Sequence, residues 1–272
     1  GYKPGGSNLT YGREDVVAQI VVLPTFTEEI VGAYEIGLKT DLADGRVRLN
    51  TAAFFYDYEG LQYQATDPEV FEGGVGNIPE SEIYGAELEL SAFLSDSVIL
   101  DLRASWLNTE ITADHLALDN VESENATNAL LGQGIGLFSN AVQIARAGRI
   151  QNVRGNELAK TPSFTGNIAL NWSNDLSWGE MKGTIQYTYR GGFKHRIFNN
   201  SITDSVPNYD VMDIMLGFYP ASAEGWRFEL IGKNLFDQDG INARFTDVFG
   251  VGATGDELIG PRQIMLRVGT EF

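Results

Sequence analysis

The sequence predicts an all-β fold, a transmembrane antiparallel up-and-down β-barrel to which this chain contributes about nine or ten strands. Three observations predict this fold class. Apolar and polar residues alternate along most of the chain, as they do in strands with one apolar face. The connections between the alternating segments are short and long in turn. No apolar run approaches the roughly 18 residues that a membrane-spanning helix requires.

Composition and charge exclude several other classes of protein. The 272 residues include 19 Lys and Arg against 37 Asp and Glu, which gives a formal net charge of −18 at pH 7. We expect no nucleic-acid partner, because a phosphate backbone is bound by positive surfaces. The chain has no Cys and only two His, so neither disulfides nor a thiolate or His-rich metal site is expected. No cofactor is expected either.

Nine segments show the alternation of a half-buried strand. In the last of them, Ile264, Leu266 and Val268 fall on one face, whereas Gln263 and Arg267 fall on the other. Such two-faced strands suit a barrel whose outside contacts lipid and whose lumen is polar. The segments lie near 30–41, 46–65, 80–93, 97–109, 161–172, 181–190, 208–218, 226–236 and 261–272.

The lengths of the connections indicate a barrel rather than a soluble β-sandwich. Outer-membrane barrels have short periplasmic turns and long extracellular loops, and a sandwich has no reason to place every long loop at one end. Turn-forming residues such as Ala43-Asp44-Gly45 occupy the short connections. The short connections are near 43–45, 94–96, 173–180 and 219–225, and the long ones are near 66–79, 110–160, 191–207 and 237–260.

Two sets of side chains follow from this topology. Aromatic residues near strand ends suit the girdles at the two membrane interfaces; they are Tyr34, Phe93, Trp106, Trp172, Trp178, Tyr219 and Trp226. Charged residues on the opposite face of the strands are expected to line the lumen; they are Arg48, Glu87, Glu89, Arg103, Lys182, Arg190, Glu229, Lys233 and Arg267.

The strand count predicts that the chain is part of a larger barrel. If the last strand descends to the periplasm, residues 1–29 lie at the extracellular side. A complete single-chain barrel of this kind has an even number of strands, and plugged transporters have about 22. Residues 1–272 are therefore expected to be the C-terminal portion of such a barrel, without its plug domain.

Four stretches resemble the C-terminal barrel region of TonB-dependent outer-membrane receptors. They are the Gly-rich start Gly1-Tyr2-Lys3-Pro4-Gly5-Gly6-Ser7-Asn8, the strand Tyr34-Glu35-Ile36-Gly37-Leu38-Lys39, the run Gly232-Lys233-Asn234-Leu235-Phe236-Asp237, and the ending from Pro261 to Phe272. Each is short, but together and in this order they are a specific signal, and the resemblance covers essentially the whole chain.

This resemblance implies a receptor in the bacterial outer membrane. It would bind a scarce nutrient, most often a ferric siderophore, and import it when the TonB complex acts through the N-terminal part. Its surroundings would be outer-membrane lipid and lipopolysaccharide. The terminal aromatic Phe272 resembles the signal that the barrel-assembly machinery reads on a last strand. A passive porin, a small outer-membrane barrel enzyme and a soluble β-rich binding module stay open as alternatives.

Basic residues near the outer ends of the strands are the candidate ligand contacts. In so acidic a chain they stand out, and an Arg guanidinium suits carboxylate, phosphate or catecholate oxygens. The predicted ligand-binding residues are Arg146, Arg149, Arg154, Lys194, His195 and Arg196, with Lys160 and Arg190 in the same region. Contact with lipopolysaccharide phosphates, or pairing with acidic loop residues, is the alternative interpretation.

No catalytic site is predicted. His115 and His195 lie in long connections, and no sequence signature places a Ser nucleophile beside either of them. Asp114, Asp119 and Glu122 lack the spacing of a calcium-binding EF-hand loop. Within the longest connection, residues 137–146 have the composition and spacing of a short helix.

Overall fold

The computed structural model describes residues 1–8, 25–66, 73–223, 225–246 and 254–271. Its main element is one antiparallel sheet in which each strand pairs with the next one along the chain, so the predicted up-and-down topology is confirmed. The first and last strands do not pair, and the sheet stays open. The strands are β1 (Tyr2–Lys3), β2 (Glu29–Leu42), β3 (Val47–Thr66), β4 (Gly73–Ser95), β5 (Val98–Ile111), β6 (Phe164–Leu176), β7 (Gly179–Arg190), β8 (Tyr209–Pro220), β9 (Trp226–Lys233) and β10 (Gln263–Thr270).

The nine predicted strands correspond to β2 through β10. Strand β1 is the tenth, and Tyr2 pairs with Ile30 at the long-loop end of β2. The largest difference lies between β3 and β4, which stay paired as far as Thr66 and Gly73. The predicted loop at 66–79 is therefore mostly strand, because pairing continues to satisfy backbone N–H and C=O groups beyond the apolar band.

One face of the sheet, the apolar face, carries large hydrophobic side chains that are exposed. The register aligns Ile36, Ala53, Ala86 and Trp106 across four neighbouring strands. Ile36 is 77% exposed and Leu266 is 74% exposed. A continuous apolar surface of this kind is stable against lipid and unfavourable against water.

Aromatic side chains pack in rows near both ends of the apolar face. At the long-loop end, Tyr84 meets Trp106 edge to face with ring centroids 5.9 Å apart. At the short-turn end, Trp178 packs on Phe218 at 5.0 Å. Tyr219 departs from the predicted girdle: the backbone alternation turns it to the opposite face, where Lys182 Nζ lies 5.1 Å from its ring centroid.

The other face, the polar face, holds a network of hydrogen bonds and ion pairs. Glu89 accepts a hydrogen bond from Asn50 at 3.4 Å and pairs with Arg103 at 3.8 Å. On the neighbouring strands, Asn171 donates to Asp101 at 2.8 Å. These residues alternate with those of the apolar face, as the sequence predicts.

Left-handed backbone conformations end two of the strands. The turn between β2 and β3 has three consecutive positive φ angles, 51° at Ala43, 55° at Asp44 and 83° at Gly45. After β9, Asn234 and Asp237 have φ of 47° and 55°. Asn and Asp tolerate this region better than other L-residues, so the Asn-Leu-Phe-Asp run stops the strand at Lys233, earlier than the predicted 236.

The long connections carry their own secondary structure. Helix α1 (Asn120–Leu131) and helix α2 (Asn140–Ala147) lie between β5 and β6; the predicted helix near 137–146 corresponds to α2, whereas α1 was not predicted. Within the described ranges, neither these nor any other helix is long and apolar enough to span a bilayer. Among the described residues, four further pairs of short antiparallel strands join Gly6–Ser7 with Thr25–Phe26, Leu116–Leu118 with Ile150–Asn152, Phe193–Lys194 with Ser205–Val206, and Ile241–Thr246 with Thr254–Leu258.

Candidate ligand-binding cavity

The long connections pack around a small apolar core at the long-loop end of the sheet. Ile78 of β4 and Ile111 of β5 contact Val153, Leu158 and Ile197 from the connections, and each of the five is at most 8% exposed. Burial of apolar surface fixes these connections against the strand ends. A cavity between them is consequently pre-formed rather than created by a ligand.

A cavity at this end has a volume of about 620 Å³, within the usual range for small-molecule sites. It lies between the outer ends of β3 and β4 and the connections that follow β5, β7 and β9. Its wall is partly aromatic and partly polar: the rings are Phe26, Tyr63, Phe198 and Phe245, and the titratable or charged side chains besides Tyr63 are Asp114, His115, Lys160, His195 and Arg196.

Arg196 joins two of the connections through a buried ion-pair network. Its guanidinium donates to Asp119 at 2.7 Å and to Asp204 at 2.7 Å. Both carboxylates are fully buried, and the Arg196 side chain is 10% exposed. Its guanidinium also lies 5.1 Å from the ring centroid of Phe198. Because its donors are used inside the protein, Arg196 forms part of the cavity wall rather than a vacant anion site.

Asp119 has a second role at the start of α1. It is the N-cap of that helix, and one of its carboxylate oxygens accepts hydrogen bonds from the backbone N–H groups of Val121 and Glu122. The unpaired N–H groups at a helix start favour such an acceptor. The ion pair with Arg196 therefore attaches the first turn of α1 to the connection between β7 and β8.

His195 is buried at the junction of two connections. It is 7% exposed, its Nε2 lies 2.9 Å from Thr246 Oγ1, and its backbone N–H donates to the carbonyl of Asp204 at 2.7 Å. Burial, and next to it the positive charge of Arg196, lowers the pKa of His195 to about 4. The imidazole is therefore neutral at pH 7.

His115 faces the cavity from the connection between β5 and β6. Its Nε2 is 2.8 Å from the hydroxyl of Tyr63, and the two rings meet edge to face at 5.4 Å. Burial lowers the pKa of His115 below its usual 6.5, so this imidazole is also neutral at pH 7. Both histidines thus present uncharged rings to one cavity.

Two arginines hold the strand pair Ile241–Thr246 and Thr254–Leu258, which supplies Phe245 and Thr246 to the cavity wall. Arg190 donates to the carbonyls of Ile241 and Asn242, both at 2.6 Å, and its guanidinium stacks on the ring of Tyr209 at 4.4 Å. Arg244 donates to Asp256 at 2.7 Å and to the carbonyl of Ser205 at 3.0 Å. These hydrogen bonds hold the Ile241–Thr246 strand against the β7–β8 connection.

The remaining predicted binding residues lie outside this cavity. Arg146 pairs with Glu124 at 3.1 Å between the two helices, and Arg154 pairs with Asp114 at 3.6 Å on the surface. Lys194 donates to Ser205 Oγ at 2.9 Å and borders a separate cavity of about 330 Å³. Arg149 is exposed, and its side chain contacts no partner among the described residues.

Of the predicted basic set, then, the structure brings His195, Arg196 and Lys160 to one cavity. Sequence reasoning missed Tyr63, because it continues a strand pattern, and the two buried carboxylates, because acidic residues are frequent throughout the chain. Asp119, followed three residues later by Glu122, carries the pattern of a helix start. Phe272 lies outside the described residues. Within the described ranges, no group of three or more His, Asp or Glu residues is arranged to hold a metal ion.

An antiparallel sheet with an exposed apolar face, a polar opposite face and connections packed around a cavity defines a segment of a transmembrane β-barrel. The chain belongs to the family described as TonB dependent receptor-like, beta-barrel, which matches residues 1–235. Proteins of this family reside in the outer membrane of Gram-negative bacteria, and this chain is an outer-membrane protein. The long-loop end of the sheet is accordingly its extracellular end.

Solved structures of low sequence identity share the fold. The ferric yersiniabactin uptake receptor FyuA from Yersinia pestis has a TM-score of 0.66 and 17% identity, over 100% of this chain and 34% of that receptor. The siderophore receptor PiuA from Acinetobacter baumannii has a TM-score of 0.63 and 17% identity, over 89% and 28%. The ferric-catecholate import receptor Fiu from E. coli K12 has a TM-score of 0.59 and 16% identity, over 91% and 28%. These neighbours are transport receptors, and this chain spans about a third of the length of FyuA. A comparison with curated protein sequences finds no match.

Proposed function

We propose that this chain is the C-terminal portion of the barrel of a TonB-dependent receptor that imports a ferric siderophore. The observation that carries the proposal is the family match over residues 1–235 together with a pre-formed cavity among the extracellular connections. Its fold neighbours FyuA, PiuA and Fiu are siderophore or ferric-catecholate receptors by description, which supports this class of cargo.

The open sheet supports the proposal that residues 1–272 belong to a larger barrel. A lipid-exposed sheet edge leaves backbone groups without partners, and in a bilayer that is too costly to persist. Strands β1 and β10 each need a further neighbour, and barrels of plugged transporters have about 22 strands. In this proposal the remaining strands and the plug domain complete the receptor, and the TonB complex acts through that N-terminal part.

The two faces of the sheet have different roles in the proposed transport. The apolar face anchors the barrel in the membrane, while residues of the polar face such as Glu89, Arg103 and Arg267 keep the lumen hydrated and bond to the plug. The extracellular connections select the ligand, since loops on a rigid scaffold commonly carry specificity. Lipopolysaccharide surrounds the outer half of the apolar face, and Phe272 acts as the signal for the barrel-assembly machinery.

The predicted basic contacts are retained in the proposal with different roles. Lys194, Arg149 and Arg154 are partly or fully accessible and would attract an anionic ligand to the mouth, as clustered charge does at a distance. Arg146, His195 and Arg196 would act on the ligand mainly by holding the walls of the binding region.

Uptake of radiolabelled iron tests the proposal. Iron-limited cells with the intact gene, cells without it, and cells without TonB would each receive a panel of ferric siderophores. We expect uptake of at least one siderophore that requires both the gene and TonB. Uptake that is independent of TonB, together with ion conductance of the purified protein in a planar bilayer, would contradict the proposal and indicate a passive porin. Hydrolytic activity of the purified protein without any uptake would indicate a barrel enzyme.

A further inference from the structure

Apart from Lys160, each charged side chain that lines the 620 Å³ cavity is paired within the protein. Arg196 bonds to two carboxylates, Asp119 and Asp204, and Asp114 accepts a hydrogen bond from Asn152 at 2.9 Å beside Arg154. The two imidazoles are uncharged at pH 7. A ligand that enters this cavity therefore does not meet the arginine cluster that the sequence suggests.

Lys160 is the exception. Among the described residues that line the cavity, it is the one charged side chain without a hydrogen bond or ion pair. Lys160 is exposed and lines the cavity, and its positive charge contributes to the low pKa of His195 on the same wall. An unpaired ammonium group is a partner for one negative charge, and the aromatic rings of the same cavity are partners for an apolar body.

The backbone fixes Lys160 in an uncommon conformation. Its φ is +62°, in the left-handed region, and its N–H donates to the carbonyl of Lys194 at 2.7 Å. Next to it, the Thr161 hydroxyl donates to the carbonyl of Leu158 at 2.6 Å. Left-handed conformations of such residues persist where surrounding contacts enforce them, and they concentrate at functional sites. These two hydrogen bonds hold the turn that carries Lys160.

We propose that the cavity between His115 and His195 binds a monoanionic aromatic group, with Lys160 as the residue that contacts its negative charge. The rings of Phe26, Tyr63 and Phe198 receive the apolar body, and the two neutral imidazoles add no charge to the wall. This inference rests on the proposed receptor function, because it names the part of the cargo that this cavity recognises. Arg196 holds the wall in place and does not contact the anion.

A pair of probes that differ only in charge tests the proposal. Binding of 1-naphthoate and of the uncharged 1-naphthamide to the intact receptor in detergent would be measured by saturation-transfer-difference NMR. For the unaltered protein we expect naphthoate to bind about fivefold to tenfold more tightly than the amide, the range for an accessible charge-assisted contact. Equal binding of the two probes, or binding of neither, would overturn the proposal.

Three variants locate the charge preference. Lys160→Met keeps the length of the side chain and is expected to bind both probes equally, whereas Lys160→Arg is expected to keep the preference. Lys39→Met removes an exposed cation from β2 near the short-turn end of the sheet, outside the cavity, and is expected to leave the preference unchanged. A preference that survives in Lys160→Met, or is lost equally in Lys39→Met, would overturn the assignment. Heat-modifiable gel mobility confirms that each variant is folded.

The siderophore uptake assay keeps this inference separate from the proposed function. TonB-dependent uptake without a Lys160-dependent charge preference would overturn the inference and leave the receptor function standing. A Lys160-dependent preference in a protein without TonB-dependent uptake would overturn the receptor function and leave the cavity assignment standing.

Discussion

Replacement of Arg196 by methionine is expected to release the extracellular connections from one another while leaving the barrel intact. Asp119 and Asp204 are fully buried and both bond to this guanidinium at 2.7 Å. Methionine fills a similar volume but leaves two buried carboxylates without a cation. Removal of one partner from a buried ion pair typically costs about 3–5 kcal/mol. That is equivalent to about a hundredfold or larger increase in the population of the opened loops.

The opening should be local, because the network joins connections and not sheet strands. Asp119 also caps α1, so the amide groups in the first turns of that helix should lose protection together with residues 197–205. Hydrogen exchange followed by mass spectrometry measures both segments and the barrel strands in one experiment. Strands such as β7 and β8 are expected to keep their protection, since their ladder of hydrogen bonds is unchanged.

Arg154→Met is the matched control for this experiment. Its ion pair with Asp114 is 3.6 Å long, and the two side chains are 59% and 70% exposed. An exposed pair contributes about 0–1 kcal/mol, so exchange in α1 should hardly change. If Arg196→Met accelerated exchange in α1 no more than Arg154→Met does, the buried network would not hold the connections and the reasoning would be refuted.

Three further predictions concern single positions. The pKa of His195 falls from 6.5 in the unfolded chain to about 4 in the folded one, so the folded connections are stabilised by its neutral imidazole fully above pH 6.5, and this stabilisation is lost as the pH falls toward 4. Proteolysis of the connections should therefore increase between pH 7 and pH 5. A His195→Gln variant should show less of this pH dependence. A Cβ at Gly183 would lie 2.4 Å from the ring of Trp172, so Gly183→Ala should lower the free energy of unfolding in urea by about 1–3 kcal/mol. A Cβ at Gly255 would have nothing within 4 Å, so Gly255→Ala should leave the free energy of unfolding unchanged. Ala43 has φ 51°, and Ala43→Gly should raise barrel stability by about 1 kcal/mol in the same measurement; an unchanged midpoint would show that the turn is not strained.

Alternation predicted strands β2 to β10 and, for most of their residues, the face on which each side chain lies. The β7 segment shows why: Met181, Ile185 and Tyr187 alternate with Lys182 and Gln186, and one face must contact lipid while the other is polar. A one-residue shift would turn every side chain to the wrong face. The period of two therefore fixes register as well as strand identity, and the lengths of the connections fix which end of the sheet is extracellular.

Two elements, Tyr219 and helix α1, were not predicted correctly from the alternation of apolar and polar residues. The sequence favours Tyr219 as an interfacial aromatic, yet its place in the register turns it toward Lys182. Helix α1 was not predicted because it has no apolar stripe with a helical period. Its buried residues are mostly polar: Asn120, Ser123, Glu124 and Thr127. Polar residues are buried there because other connections supply their hydrogen-bond partners.

The binding region depended on contacts between residues far apart in the chain. Arg196 and Asp119 are 77 positions apart, and His195 and Thr246 are 51 apart. Nothing in the local sequence distinguishes the buried Arg196 from the exposed Arg149, because both are basic residues in long connections. Only the packing of several loops determines which charges are paired inside the protein and which, like that of Lys160, stay unpaired. Strand periodicity is a property of neighbours in the chain, whereas charge compensation is a property of neighbours in space.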